Sequence, residues 1–137
     1  MFNAAILSAR PTGEALDIGP ALVSDLPDMP RFHLWQGRSG DRYLAAVHEI
    51  GEIELPNDSV VLLVAAGRSG RREILAALAF GTADRAAEQR LRTAVQAVGA
   101  TEVHVHLLAR TSADRAAALR DLAPARCARG TGEAAAA

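Results

Sequence analysis

Lysine is absent from this 137-residue chain, and cysteine, tryptophan and tyrosine occur once each. All 15 basic residues are therefore arginine. Because the chain is also rich in alanine, a GC-rich genome accounts for this bias better than an anion-binding role does. The single cysteine, Cys127, excludes an internal disulfide and a cysteine-based zinc site. We therefore expect a reducing, cytoplasmic location.

Long apolar runs and an excess of either charge are also missing. No run approaches the length of about 18 residues that a membrane helix requires, and residues 1–10 lack the leading positive charges of a signal peptide. The net charge of −1 gives no general attraction to nucleic acid or to an anionic membrane. Half of the residues are hydrophobic and 23% are charged, as is ordinary for a globular protein. We expect a single domain without membrane contact.

The distribution of proline divides the chain. Residues 1–30 contain four of the six prolines and little periodicity, which predicts an irregular N-terminal arm. Residues 31–124 carry the organised patterns and are predicted to form a single α/β domain. The small residues that follow, 125–137, predict a flexible C-terminal tail.

Three strands are predicted at the start of the domain. The β-prone runs 32–35 and 43–50 flank a glycine-containing connector, residues 36–42, and this arrangement is typical of a hairpin. Residues 59–66 are continuously apolar and rich in β-branched side chains, which indicates a central strand.

Residues 73–80 carry two conflicting signals. Their helix propensity is high, as in Leu75 through Leu78. However, the preceding Gly-Arg-Ser-Gly at 67–70 is typical of a hairpin tip, and Gly81 with Thr82 ends the segment after eight residues. We predict a strand here.

The remaining elements are two helices and one strand. Apolar residues at helical spacing predict a helix over 83–98, ended by Gly99. Residues 101–108 predict a strand, and residues 112–122 a second helix, opened by Thr111. The predicted fold is α/β (α+β), with a mainly antiparallel sheet of about five strands, two helices and the order β-β-β-β-α-β-α.

The most suggestive pair of polar residues is His104 and His106. In a strand, residues i and i+2 project from the same face about 6.6 Å apart, so two imidazoles can chelate one metal ion. No third ligand stands nearby in the sequence, and His33 or His48 can join only if the sheet brings it close. The alternative is that both histidines form local hydrogen bonds on a partly polar face.

The sequence Gly-Arg-Ser-Gly occurs twice, at 37–40 and 67–70. Amides in glycine-rich turns can bind an anion, and Arg38 and Arg68 would add positive charge. Neither copy matches a phosphate-binding loop that opens a helix, so polar hairpin tips are the simpler interpretation. Arg90, on the predicted first helix, is a further candidate for contact with an anion or a nucleic acid, although acidic residues interleave with the arginines of that helix.

Trp35 and Tyr43, the only residues of their types, both fall in the first predicted hairpin. If exposed, they would form a contact surface for a partner. If half-buried, they fill the core instead. No Ser/His/Asp arrangement and no pair of catalytic carboxylates is evident, so no catalytic residue is predicted.

The order of motifs from residue 58 to residue 124 resembles that of GIY-YIG nuclease domains. An apolar strand at 60–64, a glycine-rich turn, Leu78-Ala79-Phe80-Gly81-Thr82 and a helix containing Gln89-Arg90-Leu91 follow that family's layout. The stretch 98–106, with Gly-Ala-Thr-Glu-Val-His-Val-His, is similar to small bacterial relatives of the family and is the most specific part of the resemblance.

The resemblance implies phosphodiester chemistry, but the residues that perform it are replaced. The family's two tyrosine positions correspond to Val61 and Ala79. Its arginine corresponds to Gln89, or to Arg90 if the helix is shifted by one residue, and its metal-binding glutamate corresponds to Leu119. These aliphatic side chains cannot transfer a proton or bind Mg²⁺. The resemblance therefore implies a degenerate, nuclease-like domain without the nuclease site.

Taken together, these patterns predict a non-catalytic binding or assembly domain without a cofactor, and one that can form a homo-oligomer. An enzyme is the less favoured interpretation. Two alternatives stay open: a metal-binding protein or enzyme centred on His104 and His106, and a nucleic-acid-binding module that uses Arg90. The sequence does not identify the ligand or the partner.

Overall fold

The computed structural model describes residues 14–21 and 31–124, which form six strands and two helices. The strands are β1 (Leu16–Ala21), β2 (Phe32–Gln36), β3 (Arg42–Glu49), β4 (Ser59–Ala66), β5 (Arg72–Phe80) and β6 (Glu102–His106), and the helices are α1 (Arg85–Val98) and α2 (Ser112–Leu122). The flexible tail predicted at 125–137, Cys127 and most of the predicted arm lie outside the described residues.

The strands form one curled antiparallel sheet with the order β1-β2-β3-β6-β4-β5. Each neighbouring pair in this order is antiparallel. The predicted mixture of an antiparallel sheet with two helices is confirmed, and so is the order of elements from β2 to α2. The predicted count of about five strands is wrong, because the described part of the chain contains six.

The additional strand, β1, lies inside the segment that was expected to be irregular. It pairs with β2, and its register shifts between Asp17 and Gly19. This irregularity breaks the two-residue alternation by which strands are recognised in a sequence. Pro20 also argues against a strand, but a proline is tolerated here because β1 is at the edge of the sheet.

Strand β5 resolves the conflict between propensity and context in favour of the strand. Its residues pair with β4 from Arg72 to Phe80, with one register shift between Leu63 and Val64 of β4. Pairing with a fully buried neighbour outweighs the modest helix preference of its alanines and leucines, which is worth only a few tenths of a kcal/mol per residue. The predicted strand over 73–80 is confirmed.

Helix α2 and the end of α1 match the prediction, whereas α1 begins at Arg85, two residues later than predicted. The Asp84 side chain accepts a hydrogen bond from the Ala87 amide at the start of α1, and Gly99 takes the left-handed conformation at its end with φ of 71°. Thr111 caps the start of α2 by accepting from the Asp114 amide. Neither described helix combines the length and apolar character that a membrane crossing requires.

The sheet separates two apolar clusters, which define its inner and outer faces. Val60, Leu62 and Val64 of β4 point to the inner face, where Ala118 and Leu122 of α2 cover them. The alternate residues of β4 point to the outer face, where α1 covers them through Ala87 and Leu91. Because β4 is covered on both faces, its sequence is a continuous apolar run and does not alternate with polar residues.

Candidate functional site

Strand β6 places its polar side chains on the inner face of the sheet. Val103 and Val105 join the outer cluster, so the alternating Glu102, His104 and His106 point the other way. Both histidines are buried, with exposed fractions of 0% and 5%. The prediction that they share one face is confirmed. Whether they can bind a metal ion depends on the hydrogen bonds that each ring already makes.

Both ring nitrogens of His104 are engaged. Nδ1 accepts a hydrogen bond from Nε1 of Trp35 at 3.1 Å, and Nε2 lies 2.9 Å from Oε1 of Glu102. Since an indole N–H can only donate, the proton of the neutral ring must be on Nε2, which donates to Glu102. Burial lowers the pKa of His104 to about 4, although the Glu102 carboxylate acts in the opposite direction. The ring is therefore neutral near pH 7.

Glu102 connects this histidine to β5. Its two oxygens accept from Nε and Nη2 of Arg72 at 2.7 and 3.1 Å. These hydrogen bonds lower the pKa of Glu102 to about 2, against the effect of burial, and the hydrogen bond from His104 lowers it further. A paired arginine and carboxylate are thus fixed beside a neutral histidine.

A second acid–histidine pair, Asp17 and His33, connects strand β1 to the residues described above. Oδ1 of Asp17 lies 2.6 Å from Nε2 of His33, and Oδ2 accepts from the backbone amide of Arg72 at 2.9 Å. Asp17 thereby joins β1 to β5, which are the two opposite edges of the sheet. The His33 ring contacts the rings of Trp35 and His104, with centroids 5.1 and 5.3 Å apart. We call these six residues, Asp17, His33, Trp35, Arg72, Glu102 and His104, the inner polar network.

His106 stands beside this network with different partners. Its Nδ1 donates to the carbonyl oxygen of Leu44 at 2.8 Å, and its ring meets Tyr43 edge-on. Its Nε2 makes no hydrogen bond within the part of the chain that the structure describes. For His104 and His106 to chelate one metal, His104 would first have to release Trp35 or Glu102. Within residues 14–21 and 31–124, no group of three or more His, Cys, Asp or Glu side chains is arranged to hold a metal ion.

A cavity of about 660 Å³ opens beside the network, where the two sheet edges meet the end of α2. Asp17, Trp35 and Arg72 border it from the network. Its apolar walls come from Leu16, Ala65, Ile74, Leu122 and Pro124. Its volume lies in the range of small-molecule sites, and its lining combines a few polar groups with apolar surface.

The first Gly-Arg-Ser-Gly turn, residues 37–40, holds the C-terminal end of α2. The Asp121 carboxylate accepts from the amide and hydroxyl of Ser39 at 2.7 and 2.6 Å, and from the hydroxyl of Tyr43 at 2.8 Å. The Arg38 guanidinium donates to the carbonyl oxygens of Arg120 and Ala123. Arg120 belongs to the last helical turn and Ala123 is the C-cap residue; carbonyls at this end lack partners within the helix and carry its negative dipole end. The first turn is therefore a clamp on α2.

The clamp also shifts two pKa values. Burial, and then the hydrogen bond to Asp121, raise the pKa of Tyr43. Burial acts to raise the pKa of Asp121 as well, but the hydrogen bonds from Ser39 and Tyr43 outweigh it, so this pKa is lowered. Asp121 is therefore ionised, and Tyr43 is protonated, near pH 7.

The second Gly-Arg-Ser-Gly turn, residues 67–70, repeats the backbone of the first. The amide of the first glycine donates to the carbonyl of the residue after the turn at 2.8 Å in both turns, and the last glycine donates to the first at 3.0 Å in both. The serine hydroxyl accepts from the amide two residues later in each, at 3.1 and 3.4 Å. Among the described residues, however, no helix end and no carboxylate contacts Arg68 or Ser69. Gly67, Ser69 and Arg71 border the cavity instead.

The other residues that were predicted to contact a partner or an anion lie in different parts of the molecule. Trp35 is only 1% exposed, so of the two alternatives the structure supports the one in which this residue fills the core, where it also joins the network. Tyr43 is half-buried against Asp121 and His106. Arg90 lies over the Phe80 ring, 4.9 Å from its centroid, on the side of α1. Arg38, Arg68 and Arg90 therefore do not form one basic surface.

The positions that correspond to the GIY-YIG site are also separated. Val61 is buried in the outer cluster, whereas Leu119 packs against the inner one. Ala79 pairs with Val60 and so points to the opposite face from Val61. Comparison of the chain with known protein families, with curated proteins and with solved structures finds no match.

Sequence reasoning did not identify Asp17, Glu102 or Asp121 as site residues. Glu102 could have been found from its alternation with His104 and His106, which puts all three on one face of a strand. Asp17 and Asp121 carry no local signal, because their partners are 16 or more residues away. The repeated Gly-Arg-Ser-Gly sequence predicted both turns, but it did not predict which groups contact each turn in the folded structure.

Proposed function

We propose that this protein is a non-catalytic binding domain whose ligand occupies the cavity between β1, β5 and the end of α2. The cavity itself carries the proposal: about 660 Å³ of space, bordered by Trp35 and by the charged groups of Asp17 and Arg72. The resemblance to a GIY-YIG domain without its nuclease residues does not bear on this cavity, because Val61, Ala79 and Leu119, which correspond to that site, do not line it.

The inner polar network supports binding more than catalysis. Its acidic, basic and imidazole groups are largely satisfied by one another: His104 is bonded at both nitrogens, and Glu102 at both oxygens. A general base requires a free lone pair within reach of a substrate proton. The network instead fixes the cavity wall, since Asp17 and Arg72 tie the two sheet edges together there.

The test uses the only tryptophan of the chain as a reporter. A screen of small apolar compounds by NMR and by tryptophan fluorescence should yield ligands that shift the Trp35 indole signal and the amide signals of Ala65 and Ile74. Ala66→Phe places a large ring in the cavity and should abolish this binding. Ala97→Phe, on the exposed side of α1, is the matched control and should bind normally.

Two outcomes of this screen would contradict the proposal. One is the absence of any compound that shifts the cavity signals. The other is unchanged binding in the Ala66→Phe variant, since the ligand would then occupy another place.

Self-association is the second candidate, and exposed apolar residues after β6 favour it. Leu107 and Leu108 are 49% and 70% exposed. Because two adjacent leucines exposed to water are unfavourable in a monomer, a second copy of the chain that covers them would be stabilising. Light scattering should then show a mass above that of the monomer, which falls to the monomer mass in Leu108→Glu. A monomer mass at all concentrations would exclude this candidate.

A further inference from the structure

We infer that the second turn, residues 67–70, is a carboxylate-binding site at the rim of the cavity, and that the ligand is a small carboxylic acid with an apolar body. This inference rests on the proposed function, because it names the ligand class of the same cavity. The first turn supplies the precedent, since the same four residues in the same hydrogen-bonded conformation hold a carboxylate there.

The two donor groups of Ser39 that bind Asp121 in the first turn have counterparts in the second, whereas the third donor, Tyr43, is replaced there by Glu73. The amide and hydroxyl of Ser39 both donate to Asp121, and Ser69 presents the same two donors. Its hydroxyl oxygen is oriented as in the first turn, because in both turns it accepts from the backbone amide two residues later, that of Asp41 or Arg71. Within the described residues, these two donors of Ser69 have no acceptor. A carboxylate in the corresponding position would satisfy them.

The charges around the second turn favour an anion more than those around the first. The residue after the first turn is Asp41, whereas Arg71 takes that place in the second. Neither Arg68 nor Arg71 forms an ion pair within residues 14–21 and 31–124. Three acidic residues line the cavity: Asp17 is already bound by His33 and by the Arg72 amide, and Glu14 and Glu73 are exposed. Charge-assisted hydrogen bonds from arginine would add to those from Ser69.

The glycine that opens each turn shows where the carboxylate fits. A Cβ added to Gly37 would overlap the Asp121 carboxylate, with Oδ1 only 2.8 Å away. At Gly67 the nearest atom to such a Cβ is the Arg71 carbonyl oxygen at 3.4 Å, an ordinary contact. The space that Asp121 fills at the first turn is therefore open at the second. It continues into the cavity beside the apolar side chains of Leu16, Ile74 and Leu122, which favours a ligand with an apolar body over the acidic end of a helix.

The experiment compares hexanoate with hexanamide, which has the same size and no charge. Hexanoate should shift the amide signals of Ser69 and Arg71 together with the Trp35 indole signal, and should bind about tenfold or more tightly than hexanamide. Gly67→Ala should leave the unfolding free energy nearly unchanged and weaken hexanoate binding by about tenfold or more. Gly81→Ala, outside the cavity and without a clash, is the matched control and should bind hexanoate normally.

The outcomes separate this inference from the proposed function. Equal binding of hexanoate and hexanamide, or normal hexanoate binding by a folded Gly67→Ala variant, would overturn the carboxylate site while leaving the cavity as a binding site. If neither compound shifts the Trp35 signal, the inference fails as well, and the fragment screen then decides whether the cavity binds anything. A short acetylated peptide with the sequence of residues 120–123 distinguishes the source: tighter binding of this peptide than of hexanoate would overturn the small-molecule ligand in favour of a helix end.

Discussion

The two Gly-Arg-Ser-Gly turns have the same local structure and different surroundings. Both close an antiparallel hairpin, and both form the same pair of backbone hydrogen bonds within 0.1 Å of the same lengths. The first is filled by Asp121 and by the carbonyls at the end of α2, more than 80 residues away. The second faces the cavity.

Local sequence therefore determines the conformation of the turn, and tertiary structure determines what its outward groups contact. A four-residue motif contains enough information for its own hydrogen bonds, because they form within the hairpin. Whether its outward donors stabilise the fold or bind a ligand depends on the element that the fold places against them.

The largest effect is expected from removing the occupant of the first turn. Asp121→Ala deletes the acceptor of three hydrogen bonds and leaves the half-buried hydroxyl of Tyr43 without it. We expect a loss of about 3 kcal/mol in the free energy of unfolding, measured by urea denaturation. Asp121→Asn keeps one acceptor oxygen and should lose about half as much. A change below about 0.5 kcal/mol in Asp121→Ala would show that the clamp does not stabilise the fold.

The opening glycines should respond unequally to the same substitution. Gly37→Ala puts a methyl group where the Asp121 carboxylate lies, so that either the carboxylate or the helix end must move. The expected loss is about 2 kcal/mol. Gly67→Ala meets only an ordinary contact and should change stability by about 0.5 kcal/mol or less. Thermal or urea unfolding of the two variants side by side measures the difference, and equal losses would contradict the distinction between the turns.

The sequence predicted those parts of the fold that local patterns encode. The hairpin tips, the capped helices and the buried β4 follow from glycine positions, capping side chains and apolar periodicity. Strand β1 was missed because Pro20 and the irregular register at Gly19 conceal its alternation. Its position beside β2 is determined by pairing across the sheet, and not by its own residues.

The candidate site was less predictable, because its contacts join distant parts of the chain. The histidines at 104 and 106 were found, but the partners that make His104 a neutral, doubly bonded residue are Trp35, 69 residues away, and Glu102. Asp17 reaches Arg72 only because the sheet curls until its edges meet. No spacing in the sequence reports that curvature.

Acid should destabilise the fold through the buried His104 of the inner polar network, whose Nδ1 accepts from Trp35 only when the ring is neutral. His104 has a folded pKa of about 4 and an ordinary value of 6.5, so the unfolded chain takes up a proton at a higher pH than the folded protein does. Stability from this residue is complete above pH 6.5 and is lost as the pH falls towards 4. We expect a decrease of about 2 kcal/mol between pH 7 and pH 5.

Urea denaturation at the two pH values measures this decrease. Glu102 contributes little in this window, because its stabilisation is lost only as the pH falls from 4.5 towards 2. His104→Gln should be less stable at pH 7 and should lose most of the pH dependence. His48→Gln removes a histidine from outside the network and should retain it. If His104→Gln shows the same slope as the unsubstituted protein, another group is responsible.

The smallest expected effect is the difference in stability between Arg38→Ala, in the first turn, and Arg68→Ala, in the second. Arg38→Ala removes the donors to two carbonyls at the negative end of α2, and should cost about 1 kcal/mol. Arg68→Ala removes a side chain with no such acceptor among the described residues, and should change stability by a few tenths of a kcal/mol.

The larger loss in Arg38→Ala is caused by its contacts with the end of α2. This loss should therefore be smaller in an Asp121→Ala background, where the end of α2 is no longer held. A double-mutant cycle of Arg38→Ala with Asp121→Ala measures the coupling directly. Additive effects would mean that the arginine and the carboxylate hold α2 independently, and that the first turn does not act as one unit.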